Sequence, residues 1–66
     1  MRLIRLKEVM AMTGLARATV YKYIKAEMFP ASVSLGERAV AWVESEIEEW
    51  IEKRIEERDI AIESIS

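Results

Sequence analysis

The chain has 66 residues, with no cysteine and no histidine, and its formal net charge is −2. Residues 1–43 carry seven basic and three acidic side chains, whereas residues 44–66 carry three basic and nine acidic ones. This length supports a single small domain, and the composition excludes disulfides, thiolate and imidazole metal sites and the commonest general base. The chain also has no apolar run long enough to span a membrane and no signal-peptide pattern, so we expect a cytoplasmic protein.

The N-terminal third predicts a short strand or arm followed by a short helix. Residues 1–5 alternate apolar and basic side chains, which is typical of an edge strand or an extended arm. From Leu6 the apolar residues recur at helical spacing for about two turns. Thr13 and Gly14 then favour a helix end, because glycine readily adopts a positive φ.

The next segment predicts a second helix from Arg17 to Ala26. Its spacing directs Val20, Ile24 and Met28 inward and leaves a largely basic outer face. That face consists of Arg17, Ala18, Tyr21, Lys22 and Lys25. Two short helices joined by a turn that contains glycine are the plan of a helix-turn-helix.

A β-hairpin is predicted after the second helix, which we expect Phe29 and Pro30 to end. The strands are Ser32–Leu35 and Ala39–Trp42, joined by a tight turn over residues 36–38. Apolar side chains are expected to match across the hairpin, Val33 and Leu35 with Val40 and Trp42. Two strands alone are only marginally stable, so the hairpin is expected to pack on the helices as a wing.

The last predicted element is a long helix, Glu44–Arg58, with acidic residues in its first turn and basic residues toward its end. We therefore divide the chain into a winged helix-turn-helix domain, residues 1–58, and a C-terminal tail, residues 59–66. The apolar residues of the tail offer either an association surface or a frayed end, and they are Ile60, Ile62 and Ile65.

Four stretches of this sequence, in this order, resemble the AlpA family of phage-type transcriptional regulators, which are relatives of excisionases and MerR-type proteins. The stretches are Gly14–Lys22, Phe29–Pro30, Leu35–Arg38, and Trp42 followed by Glu44–Trp50. The resemblance covers roughly residues 3–54. It implies a mainly α fold with a small β-hairpin, a winged helix-turn-helix, and a regulator that binds double-stranded DNA.

Within such a fold the second helix is expected to enter the major groove. Arg17 is the first candidate for reading a base, and Ala18 and Thr19 are short enough to allow close approach. Tyr21, Lys22 and Lys25 are expected to contact the DNA backbone beside the major groove. Arg38, in the turn of the wing, is expected to lie near the minor groove. Further phosphate contacts are expected from Arg2, Arg5 and Lys7. The alternative is that these charges serve only solubility.

Two further expectations concern Ala16 and the two tryptophans, Trp42 on the inward side of its strand and Trp50 on the apolar stripe of the long helix. The family usually has serine where this chain has Ala16, so the second helix is expected to lack a side-chain cap. Trp42 and Trp50 are expected to be core residues rather than stacking platforms for single-stranded nucleic acid.

Three functions remain open on the sequence alone. The favoured one is a DNA-binding regulator of transcription, and the second is an excisionase-like directionality factor for recombination. The third is a protein–protein adaptor that uses the acidic helix. We expect double-stranded DNA as partner, bound by a homodimer or by cooperative copies, with contacts to an integrase or RNA polymerase as further options. Neither an enzyme activity nor a cofactor is expected, because the carboxylates have no base, phosphate loop or nucleophile beside them.

Overall fold

The computed structural model describes residues 1–65, and the side chains of residues 1–63. Three helices and three short strands follow one another as β1 (Leu3–Ile4), α1 (Leu6–Thr13), α2 (Arg17–Lys25), β2 (Val33–Gly36), β3 (Ala39–Val43) and α3 (Glu44–Ile65). The strands form an antiparallel sheet in the order β1–β3–β2. This architecture confirms the predicted fold class, which is mainly α with a small sheet and resembles a winged helix.

The N-terminal segment forms a strand. Leu3 pairs with Val43 and Ile4 with Trp42, so β1 adds an edge to the hairpin. The backbone carbonyl of Arg2 also accepts a hydrogen bond from the N–H of Glu44, at 2.8 Å. The edge-strand alternative is therefore confirmed, and the sheet gains a third strand.

The helix-turn-helix forms as predicted. Gly14 follows α1 with a φ of 75°, and its N–H donates to the carbonyl of Met10 at 2.8 Å. Thr13 strengthens the same turn, because its hydroxyl donates to the carbonyl of Val9 and accepts from the N–H of Leu15. The left-handed glycine and the threonine together redirect the chain into α2 within three residues.

The end of α2 differs from the prediction. The helix ends at Lys25, five residues before Pro30, so the proline is not what stops it. Glu27 takes a positive φ of 59°, its N–H donates to Ile24, and the N–H of Met28 donates to the carbonyl of Tyr23. These bonds form a Schellman-type cap. They carry the chain away from the helix axis and leave Met28 51% exposed, which corrects its predicted inward position.

The core lies between the helices and β3. Its buried residues come from every element except β2, together with the α2–β2 connection, and they are Ile4, Val9, Val20, Phe29, Ala41, Trp42 and Ile47. Trp42 is fully buried, which confirms its predicted role, and Trp50 is half-buried against Phe29, with ring centroids 4.8 Å apart.

Both tryptophans also hold the connection that follows α2. The indole N–H of Trp42 donates to the carbonyl of Pro30 at 3.1 Å, and that of Trp50 donates to the carbonyl of Met28 at 2.8 Å. A buried indole N–H without a partner would destabilise the fold. These two bonds therefore satisfy the indoles and fix the exit of α2 against β3 and α3.

The hairpin forms, but its register differs from the prediction. Val33 lies opposite Ala41 and Ser34 opposite Val40, with an irregularity before Gly36. The expected matches of Val33 and Leu35 with Val40 and Trp42 are therefore wrong. The inserted residue shifts the pairing, and because β2 is an outer strand its side chains are exposed along its whole length.

The last helix is longer than predicted. α3 continues without a break through Arg58 as far as Ile65, so residues 59–65 extend the helix. Ile60 and Ile62 are exposed on this extension. The side chain of Ile65, the third predicted association residue, lies outside the described residues.

The start of α2 provides a test of stability. Ala16 has the extended backbone of an N-cap residue, and no side chain caps the helix. We expect Ala16→Ser to raise the free energy of unfolding by about 1 kcal/mol, because its hydroxyl can accept from an orphan N–H of the first turn. In thermal unfolding followed by circular dichroism this corresponds to a Tm increase of roughly 4–8 °C. Ala18→Ser, which adds the same hydroxyl inside the helix, is the control, and an equal Tm for the two variants would contradict the capping argument.

Candidate nucleic-acid interface

The outer face of α2 brings together five of the predicted residues. At 100° per residue they occupy one continuous arc of about 140° of the helix circumference. The opposite side of the helix carries the fully buried Val20 and the half-buried Thr19, Tyr23 and Ile24. All members of the outer arc are exposed, and they are Arg17, Ala18, Tyr21, Lys22 and Lys25.

Arg17 and Tyr21 form a pair on this face. The guanidinium carbon of Arg17 lies 6.0 Å from the centroid of the Tyr21 ring, one helical turn away. Tyr21 is 42% exposed, so its ring contacts the guanidinium of Arg17 while both side chains remain accessible to solvent. A cation–π contact of this kind restricts a long side chain without neutralising its charge.

Thr19 is placed differently from its neighbours. It is half-buried at the border of the arc, so its hydroxyl is less accessible than the side chains of Arg17 and Lys22. This placement suits a contact at the edge of an interface better than one at its centre.

Arg38 lies in the turn between β2 and β3, at the far end of the hairpin. Its side chain is exposed and forms no ion pair with Glu37 or with any other described residue. Its charge is therefore available for a contact outside the described part of the chain.

The three N-terminal cations lie on another surface and divide into two groups. Arg5 and Lys7 are exposed and line a groove between β1 and α1, to which no residue of α2 contributes. Arg2 binds within the protein, donating to Glu44 at 2.6 Å and to Glu8 at 2.9 Å.

Arg2 therefore has a structural role, joining the N-terminal segment to α1 and α3 through two ion pairs. The carboxylates of Glu44 and Glu8 raise the pKa of its guanidinium, mainly by charge attraction. The sequence pattern did not indicate this role, because Glu44 lies 42 residues further along the chain.

Two other classes of site find no support in the described part of the chain. It contains no group of three or more acidic, cysteine or histidine residues placed to hold a metal ion. Within the same residues, no helix combines the length and the apolar character that crossing a membrane requires.

Comparison with known proteins identifies the family. Residues 2–55 match the family described as "Prophage CP4-57 regulatory protein (AlpA)". The chain is 39% identical over 59 residues to the "DNA-binding transcriptional activator AlpA" of Escherichia coli K12, covering 80% of this chain and 84% of that protein. It is 46% identical over 54 residues, 82% of its length, to the uncharacterized protein ORF88 of Enterobacteria phage P4.

The match to the phage protein spans 61% of that protein's own length. The family match, in contrast, includes both helices of the helix-turn-helix, the whole hairpin and the first half of α3. A regulatory family agrees with the expectation that the chain is not an enzyme. The chain belongs to the AlpA family of prophage regulatory proteins.

Proposed function

We propose that this chain is a transcriptional regulator of prophage type that binds double-stranded DNA, with α2 in the major groove. The observation that carries the proposal is the continuous exposed arc of α2, with three cations and no acidic side chain, opposite a face that packs on the core. The relative from Escherichia coli, which bears the name of a DNA-binding activator, supports the same function.

Arg17 is the residue that we assign to base recognition. It occupies the first position of α2, and the N-terminal residues of a recognition helix approach base edges most closely. Its guanidinium can donate two parallel hydrogen bonds to the O6 and N7 atoms of guanine. Support from the Tyr21 ring reduces the entropy that the side chain loses on binding, and Ala18 beside it leaves room for the base pair.

The other cations of α2 are assigned to the phosphate backbone. Lys22 and Lys25 lie on the same arc as Arg17 but farther from the start of the helix. A lysine ammonium is a compact, mobile charge that binds phosphate without a fixed fork geometry. The first-turn N–H groups of α2, which no side chain caps, are suited to a separate phosphate near the start of the helix.

Arg38 is assigned to the minor groove beside the site. It stands at the tip of the hairpin, exposed and without an internal partner among the described residues. A narrow minor groove concentrates negative potential and attracts such an arginine. The acidic α3 supports one docking orientation, because its carboxylates repel phosphates from the opposite side of the domain.

Selection of bound duplexes from a random pool tests the proposal directly. We expect one duplex sequence to be enriched, and its affinity to fall with salt. With about four phosphates neutralised per chain, the slope of log affinity against log salt should be about −3.6. A pool that is not enriched after repeated rounds, or an affinity insensitive to salt, would exclude this function and favour the protein–protein adaptor. Footprinting beside an attachment site distinguishes an operator from the site of a directionality factor.

A further inference from the structure

A groove between β1 and α1, away from α2, is lined by apolar and basic residues together with Glu8, which is paired with Arg2. Its volume is about 480 Å³, and Leu3, Arg5, Lys7 and Ala11 are among its lining residues. Leu3 is 44% exposed although it belongs to the sheet. Neither Arg5 nor Lys7 forms an ion pair with a described residue. The groove therefore offers an apolar side chain flanked by two available cations.

The second half of α3 has the opposite character. Every residue from Glu52 to Glu63 is exposed, and Ile55 and Ile62 are one heptad apart on the same line of the helix. At 100° per residue, a row of carboxylates lies along one side of that line and Arg54 and Arg58 along the other. The row consists of Glu52, Glu56, Asp59 and Glu63.

Beyond Ile51, every described side chain of α3 is exposed, and the molecule is elongated, with extents of 50 × 25 × 19 Å. Arg54, Ile55 and Arg58 line a groove with Met12 and Thr13 of α1, but they remain exposed as well. A helix segment of this length is only marginally stable in water on its own. The exposed isoleucines indicate that another surface covers the segment.

We propose that the second half of α3, Glu52–Glu63, docks in the β1–α1 groove of a second copy of this chain. Ile62 then packs on Leu3, and the carboxylate row faces Arg5 and Lys7. The contact joins two different surfaces, both present on every copy, so further copies can add head to tail. This interface goes beyond DNA binding and does not depend on it. Where DNA sites adjoin, it also supplies cooperative binding.

Charge favours this occupant over a second α3. Residues 44–66 carry nine acidic and three basic side chains, so two such helices side by side would repel one another. Residues 1–43 of a neighbouring copy carry the complementary excess of positive charge. The contact consists of one helix segment in one groove, so we expect it to be weak in dilute solution.

Disulfide cross-linking tests the interface with the full chain, because the natural sequence contains no cysteine. The first variant carries Ala11→Cys in the groove, and the second carries Ile62→Cys on α3. After the two are mixed in equal amounts under mild oxidation, random pairing would make the mixed disulfide equal to the two like-with-like disulfides combined. We expect the mixed disulfide to exceed that sum clearly by intact mass. Dominant pairing of Ile62→Cys with itself would overturn the proposal in favour of an α3–α3 dimer.

Reversing the charges of Lys7 and Glu56 provides a second test of the same interface. Lys7→Glu in the groove variant, or Glu56→Lys in the α3 variant, should lower the mixed disulfide several-fold, and the two together should restore it. Lys22→Glu in the groove variant is the control, since it should weaken duplex binding without changing the cross-link. A yield of mixed disulfide that does not change with the charge exchange would refute the interface. The DNA-binding proposal is tested separately, by the affinity of Lys22→Glu for duplex DNA.

Discussion

Replacing Arg17 with alanine is expected to weaken binding to the selected duplex by about 5- to 150-fold, which corresponds to the 1–3 kcal/mol of a bidentate base contact. The loss should be greatest for the preferred sequence and small for random duplex, because Arg17 at the start of α2 is assigned to a base edge. Fluorescence anisotropy with both duplexes measures the difference.

Lys22→Ala is the matched comparison on the same helix face. We expect it to weaken binding to every duplex by a similar factor and to reduce the magnitude of the salt slope by about one unit, since it removes a single phosphate contact. Lys53→Ala, which removes the same charge from α3, should leave both quantities nearly unchanged. If Arg17→Ala and Lys22→Ala bind as tightly as the natural chain, α2 does not enter the major groove.

The largest expected effect on stability comes from Trp42→Ala. Trp42 is fully buried and lies opposite Ile4 in the antiparallel pair of β1 and β3. Its indole N–H donates to the carbonyl of Pro30. Truncating a buried tryptophan typically costs about 3–5 kcal/mol. A chain of this length has a total stability of roughly 3–10 kcal/mol. We therefore expect the variant to lose roughly half or more of its stability, seen by circular dichroism at 25 °C as a much lower urea midpoint.

Two further variants separate packing from hydrogen bonding at this position. Trp42→Phe keeps most of the apolar volume but loses the bond to Pro30, so its cost should be smaller than that of alanine. Leu35→Ala removes an exposed apolar side chain of the hairpin and should change stability by less than about 0.5 kcal/mol. If Trp42→Ala folds with near-natural stability, the core does not depend on the contacts by which Trp42 connects β3 with β1 and with the α2–β2 connection.

The helix-turn-helix could be predicted closely because its determinants are local. Gly14 ends α1 through its own backbone freedom, and the spacing of Val20 and Ile24 defines the buried side of α2 within a single helix. The same periodicity separated the outer arc from the core. The exposed residues of α2 and the family assignment were therefore accessible before any tertiary structure was known.

Features that depend on distant segments were predicted less well. The register of β2 on β3 was wrong, because a single irregularity near Gly36 changes every cross-strand match. Met28 was placed inward by extending the helical period past Lys25, where a left-handed Glu27 had already turned the chain. The α3 extension was not predicted, since its isoleucines follow no pattern that distinguishes a helix from an apolar tail.

The amino-acid sequence thus determined where α1 ends, where α2 begins and which side of α2 carries positive charge. Backbone preference and helical periodicity act within about ten residues and need no tertiary partner. Only the tertiary structure decided that Arg2 binds Glu44 and Glu8, that the two indoles anchor the exit of α2, and that Arg5 and Lys7 line a separate groove. Those relations join residues far apart in the chain, and the free energy that selects them comes from packing of the whole core.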